Sequence, residues 1–296
     1  MDFKPEKGIK SQPDFVVVYG NPGLGKSTFA SGSPNPIFID PRDRTKHLNV
    51  ERLTPKTWEE YIQMVQWAVK QPYETIVLDE MNFVDELAKE YVWRKYYAKY
   101  PSFALVKEKG GQYNVLNEEY KAVLLPLLDS IRQAGKNLIV VGHPEVKEMD
   151  DPLTMEPYIR YQLGLSNGLN SMLKRSCDCM FFINKDVSVT TGENKRVVAG
   201  DERWIFTAYH QAYDAKNSFD LPAKIELKQG VNNWKVFQSY KMAEESIGSL
   251  VTQINGYIPM LAPDTQIATK AAVEEAMGKN DIARLKRIKI NLQGAV

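Results

Sequence analysis

Short, nearly unbroken apolar runs punctuate the first two thirds of the chain: Phe15 to Tyr19, Pro36 to Asp40, Thr75 to Asp79, Leu138 to Gly142 and Met180 to Asn184. Runs of this length, rich in β-branched and aromatic residues, predict strands buried on both faces, as in a parallel sheet. Between them the apolar period becomes helical. Thr57 opens a helix with Glu60 three residues on, in capping-box spacing. Trp58, Tyr61, Ile62, Val65 and Val69 then form one stripe suited to packing on the sheet. Helices are also expected near Met81 to Lys99 and from about Asn117 to Gln133. Parallel strands need crossover connections, so this alternation predicts an α/β architecture with helices on both faces.

After Asn184 the rhythm shortens. Val187 to Thr190, Arg196 to Val198, Trp204 to Ala208, Ala223 to Leu227 and Trp234 to Gln238 read as short strands divided by Gly, Asn and Asp, that is, as antiparallel additions at one sheet edge. From Ala243 the pattern is helical again: Ile247, Leu250, Val251 and Ile254 share a face, Pro259 and Pro263 interrupt it, and two more helices follow. The expected organisation is a tail over 1–13, an α/β core over 14–240 and a helical C-terminal region over 241–296.

With 296 residues, 43% of them hydrophobic, the chain can bury a full core. Its 38 basic and 37 acidic side chains nearly cancel, so any nucleic-acid contact must come from a local patch. Cys177 and Cys179 are the only cysteines. Their spacing in a strand would point both to one face, and without further ligands they cannot complete a zinc site, so they are expected to be buried core thiols. The charged N-terminus has no apolar leader segment, and no run approaches the roughly 20 apolar residues that span a bilayer. A cytoplasmic protein is expected.

One motif dominates the candidate chemistry. Gly20-Asn21-Pro22-Gly23-Leu24-Gly25-Lys26-Ser27 fits G-x-x-x-x-G-K-[ST] and lies between a predicted strand and a helix, followed by Thr28. Glycines allow backbone N–H groups to wrap phosphates; Lys26 would reach the β and γ phosphates of ATP, and the Ser27 hydroxyl would ligate Mg²⁺. Asp79, ending an apolar strand, is the expected Walker B acid, holding Mg²⁺ or its water. Glu80 either polarises the attacking water or is a solvated first-turn carboxylate. His143, just past the strand ending at Gly142, either senses the γ-phosphate or is an ordinary satisfied polar group.

Together with Ile37-Phe38-Ile39-Asp40, Val77-Leu78-Asp79, Val140-Val141-Gly142-His143 and Ala215-Lys216-Asn217, the P-loop resembles that of bacteriophage RecA-like nucleotide-binding proteins, among them the Sak-type single-strand annealing and recombination ATPases. The resemblance covers about 14–228. It implies a RecA-like P-loop NTPase core that assembles as a filament or ring on single-stranded DNA with ATP between subunits, partnered by a single-strand-binding protein. It also implies a basic residue supplied by the neighbour, a role that falls to Lys216. Two departures stand out. Pro41-Arg42-Asp43 occupies the place of the usual catalytic glutamate, so Glu80, Asp40 or Asp43 takes that task, or hydrolysis is slow; and Ser218 replaces an expected arginine.

DNA contact is expected where aromatic rings interleave with cations, at Trp93, Arg94, Lys95, Tyr96, Tyr97, Lys99, Lys107 and Lys109, because bases stack on rings while cations meet phosphates. The same spacing also describes an amphipathic helix with its rings turned inward. Pro144 to Gly168, with Lys147, Arg160 and Tyr161 among several acids, reads equally as a second DNA-contacting stretch or as a flexible interface loop. The basic tail at Arg284, Lys286, Arg287 and Lys289 reads as a solvated face or a docking helix. The competing functions are a helicase or helicase-loading motor, and a nucleotide-controlled binding module with little turnover.

Overall fold

The computed structural model describes residues 12–99, 112–150, 156–189, 197–219, 221–261 and 263–279, with parts of the stretch beyond 280. The predicted apolar runs form the middle of one eight-stranded sheet. Its strands are β1 (Phe15–Gly20), β2 (Pro36–Ile39), β3 (Glu51–Leu53), β4 (Thr75–Asp79), β5 (Asn137–Gly142), β8 (Cys179–Val189), β9 (Val197–Phe206) and β10 (Lys224–Glu226), in the order β10-β9-β8-β1-β5-β4-β2-β3. The six strands from β8 to β3 are mutually parallel, while β9 is antiparallel to both of its neighbours. This is the mainly parallel sheet with antiparallel edge additions that the sequence pattern predicts.

Helices cover both faces. Phe15, Val17, Tyr19, Ile76, Leu78, Leu138 and Val140 belong to a core shared with α2 (Trp58–Lys70), α3 (Met81–Lys99), α4 (Gln112–Glu119), α5 (Leu125–Gln133) and α6 (Asn167–Ser176). A π turn, Tyr120–Leu124, joins α4 to α5, so the helix expected from Asn117 starts earlier. Thr57 caps α2 by accepting from the Glu60 amide, and the Glu60 carboxylate takes the Lys56 amide. On the other face α1 (Lys26–Ser31) lies against β1 and β5, where Phe29 packs at 5.5 Å from Trp234 and 6.1 Å from Phe181.

Several expectations are corrected. Trp234 to Gln238 is the start of a long helix, α7 (Asn233–Tyr257), because Trp234 and Phe237, three apart, are both buried while Lys235 between them is exposed. Met180 to Asn184 and Val187 to Val189 are one strand, β8, carried across a register shift between Lys185 and Val187; Thr190 and Arg196 lie outside the described residues. The segment read as a flexible loop holds a second sheet, the hairpin β6 (Pro144–Met149) and β7 (Tyr158–Leu163). Both cysteines are buried, but Cys177 caps α6 in extended backbone before the strand begins and joins the core under α2 to α6, whereas Cys179 lies outside that cluster. Burial pushes the Cys177 thiol up to about 11 and raises Cys179 too.

The chain divides into two compact units, one comprising 1–218 with 223–234 and the other 219–222 with 235–296. The second has its own small core of Leu250, Ile254, Ile258, Val273, Ala276, Leu285 and Leu292, on α7, the 3₁₀ turn Ile258–Met260, α8 (Pro263–Gly278) and the partly described segment beyond. Of the basic tail, only Arg284 is described; it donates to Glu275 at 2.8 Å.

Where β1 turns into the P-loop, Gly20 lies against β8 so tightly that a Cβ there would sit 2.1 Å from the Ile183 carbonyl oxygen. The clash is with backbone, which cannot rotate away. Gly20→Ala is therefore expected to cost about 3 kcal/mol of stability, read as a lowered urea midpoint with an unchanged slope.

Candidate nucleotide-binding and catalytic site

Strand order decides which side chains meet. Strand β5 lies between β1 and β4, with Tyr19 opposite Gly142 and Asp79 opposite Val141. The loops leaving all three strands therefore emerge side by side at the carboxyl edge, the edge at which open α/β sheets hold ligands. Lys26, Asp79, Glu80 and His143 come together there.

Lys26 is almost fully buried, and its ammonium donates to the carbonyls of Gly20 (2.8 Å) and Asn21 (2.9 Å) within its own loop. Burial pulls it down to about 8, against the opposing charges of Asp79 and Glu80. Gly23 and Gly25 hold φ of 77° and 96°, values that favour glycine. Asp79 accepts from the Ser27 hydroxyl; burial raises its carboxyl to about 6, and its Oδ2 is buried with no hydrogen-bond partner. A hydroxyl beside an orphaned carboxylate oxygen is the hard-oxygen donor set that Mg²⁺ takes, with phosphate oxygens and water completing it. Ser27 and Asp79 thus fit the ion. No cluster of three or more His, Cys, Asp or Glu suited to a metal occurs among the described residues.

Glu80 follows across a cis peptide bond and is 6% exposed. Burial would raise its carboxyl, but the hydrogen bond and charge of His143, then Arg44 and Arg42, outweigh it and hold Glu80 below the usual range. His143 Nε2 pairs directly with Glu80 Oε2, while Arg44 and Arg42 approach Oε1 at 3.5 and 3.6 Å. The other candidate carboxylates are engaged elsewhere. Asp40 is buried and accepts from the Thr45 amide and hydroxyl at 2.8 and 2.7 Å, fixing the loop after β2; Asp43 pairs with Lys46 at 2.7 Å. Glu80 is the carboxylate beside the P-loop that its basic neighbours hold below the usual range.

Asn82 and Asp85 carry part of this geometry, and sequence reading missed both. The Asn82 side chain accepts from the His143 amide at 2.7 Å and donates to the Gly164 carbonyl at 2.5 Å. Asp85, buried one turn further along α3, accepts from the Ser166 amide and hydroxyl and from Tyr120. The two residues tie α3 to both ends of the β6–β7 hairpin. The Asn82-x-x-Asp85 spacing on one helix face was the available signal, but polar residues in the first turn of a helix are too common to single out.

The remaining expected residues lie elsewhere. Lys216 pairs with Met180 near the start of β8, at the opposite edge of the sheet from the P-loop, and its ammonium donates to the Lys174 (3.1 Å) and Cys177 (2.7 Å) carbonyls at the end of α6. On α3, Tyr96 packs on the core while Trp93 is 45% exposed. Arg94 lies 3.8 Å from both Glu59 and Glu90, and Lys95 lies 3.5 Å from Glu119. Lys95 also lies 5.1 Å over the Tyr91 ring, so the cations of this helix are engaged by its own rings and by nearby acids. Tyr97 and Lys99 are on α3 with side chains outside the description, and Lys107 and Lys109 lie outside the described residues.

Residues 13–219 match the family described as an AAA domain, a span of well over half the chain that includes every element of this site. The chain belongs to the AAA domain family. It is an ATPase-type P-loop protein with a mainly parallel sheet. No curated protein matches it. Among solved structures, a KaiC-like protein from the hyperthermophilic archaeon Pyrococcus horikoshii matches at 12% identity and a TM-score of 0.37, over 75% of this chain and 88% of that one. No helix among the described residues is long and apolar enough to cross a membrane.

Two expectations follow. Mg²⁺-nucleotide binding needs Asp79 ionised and Lys26 protonated. Affinity in titrations across pH should therefore hold between about 6 and about 8 and weaken on both sides, roughly tenfold per unit below 6. Lys216→Ala should cost about 1–2 kcal/mol in denaturant unfolding, through lost caps on α6, and leave nucleotide affinity of the isolated chain unchanged.

Proposed function

We propose that this AAA-domain protein hydrolyses ATP with Mg²⁺ and uses the cycle to control binding to single-stranded DNA in recombination or strand annealing, assembling with ATP between subunits. The observation that carries the reading is the direct pair between Glu80 and His143, whose backbone continues into the β6–β7 hairpin. The same hairpin closes where the Gly164 amide donates to the His143 carbonyl at 2.9 Å. A change at the γ-phosphate that moves Glu80 or His143 would thus act on both ends of one hairpin. Two-state rearrangement of such an element is how nucleotide state becomes a binding signal.

The chemistry follows from the side chains. The P-loop amides and the Lys26 ammonium would hold the β and γ phosphates, Lys26 exchanging the Gly20 and Asn21 carbonyls for phosphate oxygens. Ser27 and Asp79 would hold Mg²⁺, which neutralises charge developing between the β and γ oxygens. Glu80, ionised at neutral pH, would orient water and draw its proton; Arg42 and Arg44 compete for the same carboxylate, which makes turnover slow until an interaction elsewhere draws them off. Bases would stack on exposed Trp93.

A second reading, a nucleotide-controlled switch for a protein partner, is favoured by the hairpin surface. Val146 and Ile159 are 56% and 70% exposed, and Glu145 and Glu148 flank Lys147, a surface better suited to protein than to phosphate.

ATP turnover measured with and without single-stranded DNA separates the two. The proposal expects stimulation of tenfold or more, strand annealing, and ATP-dependent filaments or rings on DNA by electron microscopy. No stimulation and no DNA binding at low salt would leave only the switch. Glu80→Gln should lower kcat by about 10²–10⁴-fold and keep nucleotide binding, as measured by single-turnover kinetics.

A further inference from the structure

Strand β9 brings Arg203 to the P-loop of its own chain. A Cβ built on Gly25 would lie 3.2 Å from the Arg203 Nη1 and 3.2 Å from Leu227 Cδ2, so guanidinium and leucine together form one wall of the loop. The Leu227 amide donates to the Arg203 carbonyl at 2.8 Å, which extends the β9–β10 pairing to this point and fixes where the arginine leaves the strand.

Across the antiparallel pair Arg203 stands directly opposite Lys185. Like charges in such a pair repel and are unfavourable without an anion between them. Lys185 is only loosely compensated, by a fully exposed Asp201 at 3.8 Å. The Arg203 guanidinium pairs with no carboxylate among the described residues. Both cations line a cleft of about 690 Å³ that begins at Thr28, the residue after Ser27, and continues past Leu227 and Lys228. That size accommodates a nucleoside. Of the acids on its rim, Glu226 is 3.3 Å from Lys228, and Asp201 and Glu202 are exposed.

We propose that Arg203 contacts the nucleotide phosphates in cis, its guanidinium completing the P-loop from the β9 side, and that the cleft beyond it receives the ribose and base. A planar guanidinium offers two parallel donors to phosphate oxygens, which the Lys26 ammonium cannot. The inference rests on the nucleotide-binding reading of the P-loop and adds a residue that lies far from it in sequence.

The test is titration of ADP, ATP and adenosine into the wild-type chain and into Arg203→Gln, Arg203→Lys and Lys26→Ala, with circular dichroism to confirm folding. Arg203→Gln should weaken ADP and ATP by about 10- to 100-fold, and Arg203→Lys by less. Adenosine, which has no phosphate, should bind both variants as it binds the wild type, a pattern that a merely structural arginine would not give. ADP affinity unchanged in Arg203→Gln, or an equal loss for adenosine, would overturn the inference while leaving the P-loop reading intact. Absence of ADP binding by the wild-type chain, or full binding by Lys26→Ala, would instead remove the nucleotide reading and this inference with it.

Discussion

Two adjacent carboxylates, Asp79 and Glu80, end strand β4 almost completely out of water, and the carboxyl edge of the sheet is arranged around that fact. An uncompensated buried charge costs several kcal/mol, so each acid must be neutralised or paired. They solve the problem differently. Asp79 takes a hydroxyl and shifts upward, with one oxygen lacking a partner; Glu80 recruits His143, Arg42 and Arg44 and shifts downward. Neighbouring carboxyls driven apart in this way are not interchangeable.

The cations that stabilise Glu80 give the site its second property. His143 belongs to the end of β5 and to the base of a hairpin, while Arg42 and Arg44 belong to the loop after β2 that Asp40 holds through Thr45. Glu80 is thus shared between the nucleotide site and two surface segments. Asn82 and Asp85 prevent slack in one of them by clamping both ends of the hairpin to α3. A rigid link of this kind is what local chemistry needs to act at a distance.

The antiparallel edge contributes more than sheet closure. Because β9 runs back along β8, its Arg203 and the Leu227 that follows β10 return to the P-loop and wall it from the side opposite Glu80. The loop is therefore enclosed by elements separated by some two hundred positions in the chain.

Local sequence determined the strands β1, β2, β4 and β5, the cap of α2 at Thr57 and the P-loop, because each depends on a period, a turn chemistry or a spacing within a few residues. It also placed Asp79, Glu80 and His143 at strand ends. Only tertiary structure decided which partners these residues meet. That β5 inserts between β1 and β4, that Glu80 rather than Asp40 or Asp43 is the available acid, that Lys216 caps α6 and that Arg203 reaches Gly25 are pairings across long separations. Trp234 to Gln238 shows the same limit: five residues with strand-like composition became helix because burying Trp234 and Phe237 on one side outweighs local preference. Pattern fixes which backbone a segment can adopt. Partner identity depends on which strands lie next to one another, and no local window contains that information.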